Sequence, residues 1–236
     1  MKIKIISIIV VASLLMSCSD FLDRNSQSGV SEKDFWKTEK DAISGVNAIY
    51  NTNREFTSFI LPYGMLDDFT DISYRSLAFG MTTGIGMTPE AEIYTNSWGV
   101  LFKGIYRANA AIKYIPQIQG ISQEIADRTL GEALFFRGYF YFKLWDLYGG
   151  IPIFDFPIKI EDSMAPRNTE QEVYEFIIKD LTDASELLSE SYTDGEKGRV
   201  TKWAALAMRG KAHLWAKKYK EAASDFKNVM DNSDRE

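Results

Sequence analysis

The most informative segment of this chain reads Glu132-Ala133-Leu134-Phe135-Phe136-Arg137-Gly138-Tyr139-Phe140-Tyr141-Phe142-Lys143-Leu144 and is followed, after three more residues, by Tyr148-Gly149-Gly150-Ile151-Pro152. We predict one long helix here, because Ser122 is a suitable N-cap residue and the Gly149-Gly150 pair stops the helix at Tyr148. The chain then leaves in extended form through Ile151 to Phe154.

Helical patterns continue on both sides of this stretch. Apolar residues recur at helical spacing from Trp98 to Ile112, and a capping box at Thr169 and Glu172 precedes another apolar stripe. The fold is therefore predicted to be all-α. The other helices are expected at 31–50, 97–116, 169–188, 201–214 and 219–230.

Residues 52–96 interrupt this helical order. They contain two prolines and several glycines, and Phe79 to Gly86 cannot form a stable helix. A loop-rich insertion of this length inside a compact domain is usually functional or mobile.

The last two predicted helices have the spacing of a tetratricopeptide unit. Tyr219, Ala222 and Phe226 follow Gly210 at offsets of 9, 12 and 16 residues. Such units place a small residue where two helices cross and an aromatic residue at the turn. We predict a tetratricopeptide-like helical-repeat scaffold, although an unrelated antiparallel helix pair would also produce some of these matches.

The chain starts with the layout of an export signal. Lys2 and Lys4 precede an apolar run from Ile5 to Leu15, and Cys18, the only cysteine, follows directly. This order is typical of a bacterial lipoprotein signal, in which Cys18 takes lipid and becomes the first mature residue. The alternative is an uncleaved anchor, but the run is short of the roughly 20 residues that span a bilayer.

The net charge and the aromatic content of the chain indicate which kinds of partner it can bind. Removal of residues 1–17 takes away two lysines and no acid, so the net charge moves from −6 to −8. Nucleic acid and anionic membrane surfaces are therefore poor partners. Aromatic residues make up 14% of the chain. This is more than a small core needs, and exposed aromatic side chains usually indicate binding.

The motifs along the chain together resemble the SusD/RagB family of outer-membrane nutrient-binding lipoproteins of Bacteroidetes. The helix 132–144 with its Tyr-Gly-Gly-Ile-Pro ending resembles the family's signature helix. The other resembling segments, in chain order, are Cys18 to Asp23, Phe35 to Asn51, Trp98 to Asn109, Arg167 to Tyr174 and Gly198 to Ala205.

This resemblance implies a binding function without chemistry. Family members lie over a SusC-like TonB-dependent transporter barrel, capture a glycan or another nutrient, and pass it on for import. The implied location is the outer membrane, where the lipid anchor holds the protein so that it faces outside. A binder of peptides or other solutes on the same fold, and a purely structural helical-repeat protein that contacts only the barrel, remain alternatives.

The implied domain organisation has three parts: a signal peptide at 1–17, a tether at 18–30 and a helical domain at 31–236. Family members are commonly about twice as long. The chain is therefore expected to be the N-terminal portion of a longer fold.

A candidate ligand site lies in and beside the insertion. Saccharides are bound by flat aromatic faces together with planar polar groups, and the stretch 63–97 carries both kinds. The predicted binding residues are Asp71, Tyr74, Arg75, Tyr94 and Asn96. In the alternative interpretation, the tyrosines hold the loop against the helices and the carboxylates cap turns.

Other conspicuous residues are assigned to structure. Trp98, at the head of an apolar stripe, is expected in the core or at a groove edge, and Trp145, Trp203 and Trp215 are expected in the core. Asn109 is expected to be a satisfied internal hydrogen-bonding residue. His213 is expected to be a packing residue of the repeat.

Catalysis is not predicted. Asp67, Asp68 and Asp71 are acidic neighbours, but nothing in the sequence defines the pair of carboxylates that a glycosidase needs. No phosphate-binding glycine loop and no G-x-S-x-G motif occurs in the sequence. We therefore expect no cofactor and no metal.

Overall fold

The computed structural model describes residues 32–57, 88 and 90–233. The chain divides into two compact units, residues 1–36 and residues 37–236. In the first unit, α1 (Glu32–Phe35) is a single short turn of helix. The second unit contains α2 (Glu39–Glu55), α3 (Glu92–Tyr114), α4 (Gln123–Tyr148), α5 (Glu170–Leu187), α6 (Lys202–Trp215) and α7 (Tyr219–Asn232).

Each helix from α2 to α7 packs against the next one in the chain, and α4 also contacts α2. Short 3₁₀ turns follow α3 at Ile115–Gln117 and precede α5 at Ile160–Met164. The described residues contain no strand. The predictions of an all-α fold and of a tetratricopeptide-like scaffold are confirmed.

Helix α4 is the centre of the array. A helix that carries apolar side chains around most of its circumference has to be buried on several sides. Phe140, Tyr141 and Leu144 are fully buried, and Phe142 is nearly so. Gly138 lets α5 approach closely, because a Cβ atom at this position would lie 3.1 Å from Cγ of Leu181.

The predicted start of the first helix needs correction. The helix predicted at 31–50 does not run without a break, because α1 ends at Phe35 and α2 begins only at Glu39. Thr38 and Asp41 form a reciprocal capping box there: Oγ1 of Thr38 accepts from the backbone N–H of Asp41, and Oδ2 of Asp41 accepts from that of Thr38.

The cap predicted for α4 is also wrong. The Ser122 side chain makes no capping hydrogen bond. Instead, the Ser122 backbone N–H donates to Oε1 of Glu39 at 2.6 Å, and this bond holds the pKa of the Glu39 carboxyl below its ordinary value. At the other end, Gly149 stops α4 as predicted, with a positive φ of 69°.

The predicted capping box of α5 and the repeat spacing are confirmed. Thr169 and Glu172 form the predicted capping box of α5, and Thr201 caps α6. In the α6–α7 pair, Gly210 faces the ring of Phe226, and Ala222 is 2% exposed. The small residues therefore lie where the two helices come closest.

The insertion is shorter than predicted. Helix α2 continues to Glu55, and α3 begins at Glu92 rather than at 97. A tertiary contact supports the earlier start, because the hydroxyl of Tyr148 donates to the backbone carbonyl of Tyr94 at 2.5 Å. Most of the predicted insertion lies outside the described residues.

Candidate functional site

An aromatic cavity opens beside the N-terminal half of α3. Its volume is about 220 Å³. It lies between α3 and the segment 151–165, which leaves α4 and leads to α5. Its walls include Trp98, Phe102, Pro152, Phe154, Ile158 and Asp162.

Trp98 stands at the edge of this cavity and remains 36% exposed. Its ring centroid lies 4.6 Å from that of Phe102 and 5.1 Å from that of Tyr148, with which it makes an edge-on contact. Tyr148 is itself held by its hydrogen bond to Tyr94. The indole is therefore supported by two rings and still presents surface to solvent, as the prediction of a groove-edge position requires.

Phe154 brings the opposite wall into place. Its ring lies 6.0 Å from Phe102, although the two residues belong to different segments. Its backbone N–H donates to the hydroxyl of Tyr141 at 2.7 Å, and its carbonyl accepts from Nδ2 of Asn109 at 2.9 Å. The same amide nitrogen also donates to the carbonyl of Phe156 at 2.7 Å.

A buried ion pair orients the Asn109 amide. Nη1 of Arg137 donates to Oδ1 of Asn109 at 2.8 Å, while Nε and Nη2 of Arg137 bind both oxygens of Asp180. The oxygen of the amide is thereby engaged, which leaves its nitrogen to face the two backbone carbonyls. This confirms that Asn109 is a satisfied internal residue, and it explains how an irregular segment becomes a rigid wall.

The polar groups at the cavity are few. Asp162 contributes a half-buried carboxylate, whose Oδ2 accepts from the backbone N–H of Lys159 at 2.8 Å. An apolar cavity with an isolated, well-placed polar group is the usual composition of a site for a small organic ligand.

Tyr148, which supports Trp98, keeps its proton. Burial raises the pKa of Tyr148 to about 12, so its hydroxyl stays protonated and donates.

Two of the predicted site residues are described, and neither lines the cavity. Tyr94 is half-buried on the first turn of α3, four residues before Trp98 and therefore on the same side of the helix. Asn96 is exposed, and its Nδ2 donates to Oε1 of Glu92 at 3.1 Å. Asp71, Tyr74 and Arg75 lie outside the described residues, as does the predicted lipidation site, Cys18.

The sequence patterns did not identify Phe154 and Asp162 as cavity residues. The segment that carries them reads as a plain extended exit from α4. Phe154 and Phe156 do alternate directly after a helix stop, and Phe156 is 44% exposed. That alternation was the available signal for an aromatic wall.

The tryptophan predictions have mixed outcomes. Trp145 is buried, as predicted, whereas Trp203 is only partly buried. Trp215 is 49% exposed, so its assignment to the core is wrong. Trp215 is the last residue of α6, and the neighbouring helices cover only part of its ring. His213 is buried, and its Nδ1 lies 2.9 Å from the hydroxyl of Tyr174.

Two further properties of the described residues concern metal binding and membrane spanning. Within the described residues, no three His, Cys, Asp or Glu side chains are grouped so that they would hold a metal ion. None of the described helices combines the length and the apolarity that crossing a bilayer requires.

The described part of the chain thus combines a helical-repeat scaffold with an aromatic cavity at its edge. A model of the SusD-like family, described as "Starch-binding associating with outer membrane", matches residues 20–214. The chain belongs to the SusD-like family.

Relatives in the same family cover almost the whole chain. SusD-like protein P38 of Formosa agariphila is 28% identical over 234 residues, which are 94% of this chain and 44% of the relative. A SusD-like protein of Bacteroides ovatus is 28% identical over 225 residues, covering 91% and 39%. The chain thus spans less than half the length of these relatives.

Solved structures share the fold. A SusD-like protein of Bacteroides fragilis superimposes with a TM-score of 0.71 at 25% identity, over 90% of this chain and 41% of that protein. A laminarin-binding SusD-like protein superimposes with a TM-score of 0.69 at 23% identity, over 82% and 44%.

Proposed function

We propose that this chain binds saccharide at the cavity beside Trp98, as the N-terminal part of a nutrient-binding lipoprotein. The observation that carries the proposal is the exposed part of the Trp98 ring, which borders a cavity walled by Phe102 and Phe154. The hydrocarbon face of a sugar ring packs on such an aromatic surface, while its hydroxyl groups need polar partners. Asp162 supplies one of these at the cavity.

The rigidity of the site supports binding rather than transient contact. Phe154 is held through Asn109 and Tyr141, and Trp98 is held against Tyr148, so both walls are in place before a ligand arrives. Preformed walls reduce the entropy that binding loses, which favours affinity in a small site. We infer that the protein binds its ligand without transforming it.

The remaining predicted residues belong to the same proposal. Tyr94 and Asn96 lie within one turn of Trp98 along α3, and Asp71, Tyr74 and Arg75 belong to the segment that precedes this helix. We propose that these five residues extend the site around the Trp98 cavity.

The cellular role follows from the export signal and the family. We propose that Cys18 carries lipid, that the protein lies at the outer membrane, and that it transfers saccharide to a SusC-like TonB-dependent transporter. The description of the matched family, with its starch binding and outer-membrane association, supports this proposal.

Titration of the whole chain with soluble starch and laminarin tests the binding function. We expect saturable binding to one of these glucans, and we expect Trp98→Ala to weaken it about tenfold or more, since aromatic contacts dominate small sites. Trp203→Ala is the matched control, because Trp203 is a partly exposed tryptophan of α6 that does not line the cavity. Equal affinities of the Trp98→Ala and Trp203→Ala proteins would contradict the proposed binding site at Trp98.

Lipid attachment is tested separately. We expect Cys18→Ala to abolish incorporation of labelled palmitate and to release the protein from the membrane fraction. A Cys18→Ala protein that remained as firmly membrane-bound as the original would contradict the proposed anchor.

A further inference from the structure

A second cavity, of about 210 Å³, opens where α4, α5 and the α6–α7 turn meet. Two tryptophans and a tyrosine contribute aromatic surface, and a carboxylate, an amide and an ammonium group surround it. The lining includes Trp145, Glu170, Gln171, Tyr174, Trp215 and Lys217. The site described above does not use any of these residues.

Trp215 contributes exposed aromatic surface to this lining. Almost half of its surface, 49%, remains in contact with solvent. The rest is supported, because its ring centroid lies 5.9 Å from that of the buried Phe142, and Nζ of Lys211 lies 5.9 Å from its centroid. An exposed, supported indole at a cavity is a surface suited to stacking.

The other aromatic walls are fixed in position. Nε1 of Trp145 donates to Oε2 of Glu170 at 3.4 Å, and this tryptophan is only 8% exposed. The hydroxyl of Tyr174 pairs with Nδ1 of His213 at 2.9 Å. The cavity therefore has a preformed aromatic floor, with Glu170 at its edge as a hydrogen-bond acceptor.

Helix α4 relates this cavity to the first one. Trp145, in the second cavity, and Tyr148, which supports Trp98, are three residues apart in the last turn of α4. Their backbone positions differ by about 4.5 Å along the helix axis. Both aromatic sites thus adjoin the same end of one rigid helix, where Gly149 stops it.

We propose that Trp215, Trp145 and Glu170 form a second saccharide subsite, so that the protein binds an oligosaccharide at two places around the end of α4. This inference rests on the proposed function, since it requires that the Trp98 cavity binds saccharide. Lys217 and Gln171 provide further donors at the rim for hydroxyl groups.

The dimensions of the cavity favour a sugar over a protein helix. Its volume of about 210 Å³ is below the ~300–1,000 Å³ that is typical of pockets for drug-sized ligands. A partner helix would need a continuous apolar groove for side chains on successive turns. The lining instead alternates aromatic and charged or amide groups, as the recognition of a polar, ring-shaped ligand requires.

The experiment measures the affinity of the whole chain for a short and a long ligand within each of two series. Maltose is compared with maltoheptaose, and laminaribiose with laminarihexaose. We expect Trp215→Ala to weaken the longer ligand about 2- to 10-fold, the loss that one aromatic contact produces, and to leave the disaccharide unchanged. Trp98→Ala should weaken both ligands. Trp215→Phe should keep part of the affinity, and Trp203→Ala should change neither ligand.

Indole N–H resonances provide a readout that does not depend on a folded alanine variant. The chain contains five tryptophans, and the Trp215 signal is assigned by its loss in Trp215→Phe. We expect maltoheptaose or laminarihexaose to shift both the Trp98 and the Trp215 signals, and the disaccharide to shift only that of Trp98.

The outcomes separate the two proposals. If the longer ligand shifts only the Trp98 signal and Trp215→Ala binds it normally, the second subsite is wrong and the proposed function stands. If no saccharide of either series, starch or laminarin binds, the proposed function fails, and the second subsite fails with it.

Discussion

Arg137 on α4 and Asp180 on α5 form an ion pair in the interior, in which Nε and Nη2 each donate to one carboxylate oxygen at 2.7 Å. The side chain of Asp180 is fully buried, and that of Arg137 is 7% exposed. Through the third hydrogen bond of Arg137, to Asn109, the pair also positions the cavity wall. One buried pair thus joins three helices to the site.

We expect Arg137→Met to destabilise the protein strongly. The change leaves the Asp180 carboxylate buried without its partner, which costs about 3–5 kcal/mol. The measurement is urea unfolding followed by circular dichroism. Lys227→Met is the control, since the Lys227–Asp231 pair lies on the surface and such pairs contribute about 0.5 kcal/mol or less. Equal losses in the two variants would contradict the structural role of the buried pair.

The two predicted caps should respond differently to alanine. Oγ1 of Thr169 accepts from the Glu172 backbone N–H, so Thr169→Ala should cost about 1 kcal/mol of unfolding free energy. Ser122 makes no such bond, so Ser122→Ala should change stability by less than about 0.5 kcal/mol. Chemical denaturation of both variants checks this, and a larger loss for Ser122→Ala would reverse the assignment.

Two helical glycines should respond to alanine with opposite signs. A Cβ atom at Gly210 would lie 2.8 Å from Cε1 of Phe226, whereas one at Gly99 would have no neighbour within 4 Å among the described residues. Gly99→Ala should therefore gain up to about 1 kcal/mol from helix propensity. Gly210→Ala gains the same helix propensity but loses about 1–3 kcal/mol through overpacking, so we expect a net loss of stability.

Thermal unfolding of the two glycine variants provides the comparison. A melting temperature that rises for Gly99→Ala and falls for Gly210→Ala is the expected result. A rise in both would show that α6 and α7 separate easily, and that the close crossing contributes little to stability.

His213 should make stability depend on pH. Burial lowers the pKa of its imidazole below the ordinary value of 6.5, and the nearby Asp225 carboxylate opposes this shift only in part. Arg209 of α6, Glu221 of α7 and the hydroxyl of Tyr174 also face this ring. The unfolded chain therefore takes up the proton first, so the contribution of His213 is complete above pH 6.5 and is lost as the pH falls below it.

Urea unfolding between pH 7.5 and 5.5 measures this dependence against His213→Asn. Asparagine keeps a hydrogen-bonding group toward Tyr174 and does not titrate in this range. We expect the original protein to lose stability relative to the variant as the pH falls. Parallel pH profiles for the two proteins would rule out a contribution from His213.

Local features of the sequence predicted the helices well. The capping box at Thr169 and the stop at Gly149 depend on residues within about one helical turn, and the Gly210–Ala222 spacing depends on two consecutive helices; each prediction is confirmed. The motifs also identified the family, because each of them occurs in the expected order along the chain. The Ser122 side chain makes no capping hydrogen bond, and its backbone N–H donates instead to Glu39, which is distant in sequence.

Patterns in the sequence were therefore sufficient to predict the all-α class, the family and most of the helix ends. The three-dimensional structure was needed to see that Trp98 and Phe154 meet at one cavity, and that Trp215 is exposed. These outcomes depend on contacts between residues tens of positions apart, such as the hydrogen bond from Asn109 to Phe154. Periodicity and capping patterns contain no information about such contacts, because they reflect only the free energy of neighbours along the same helix.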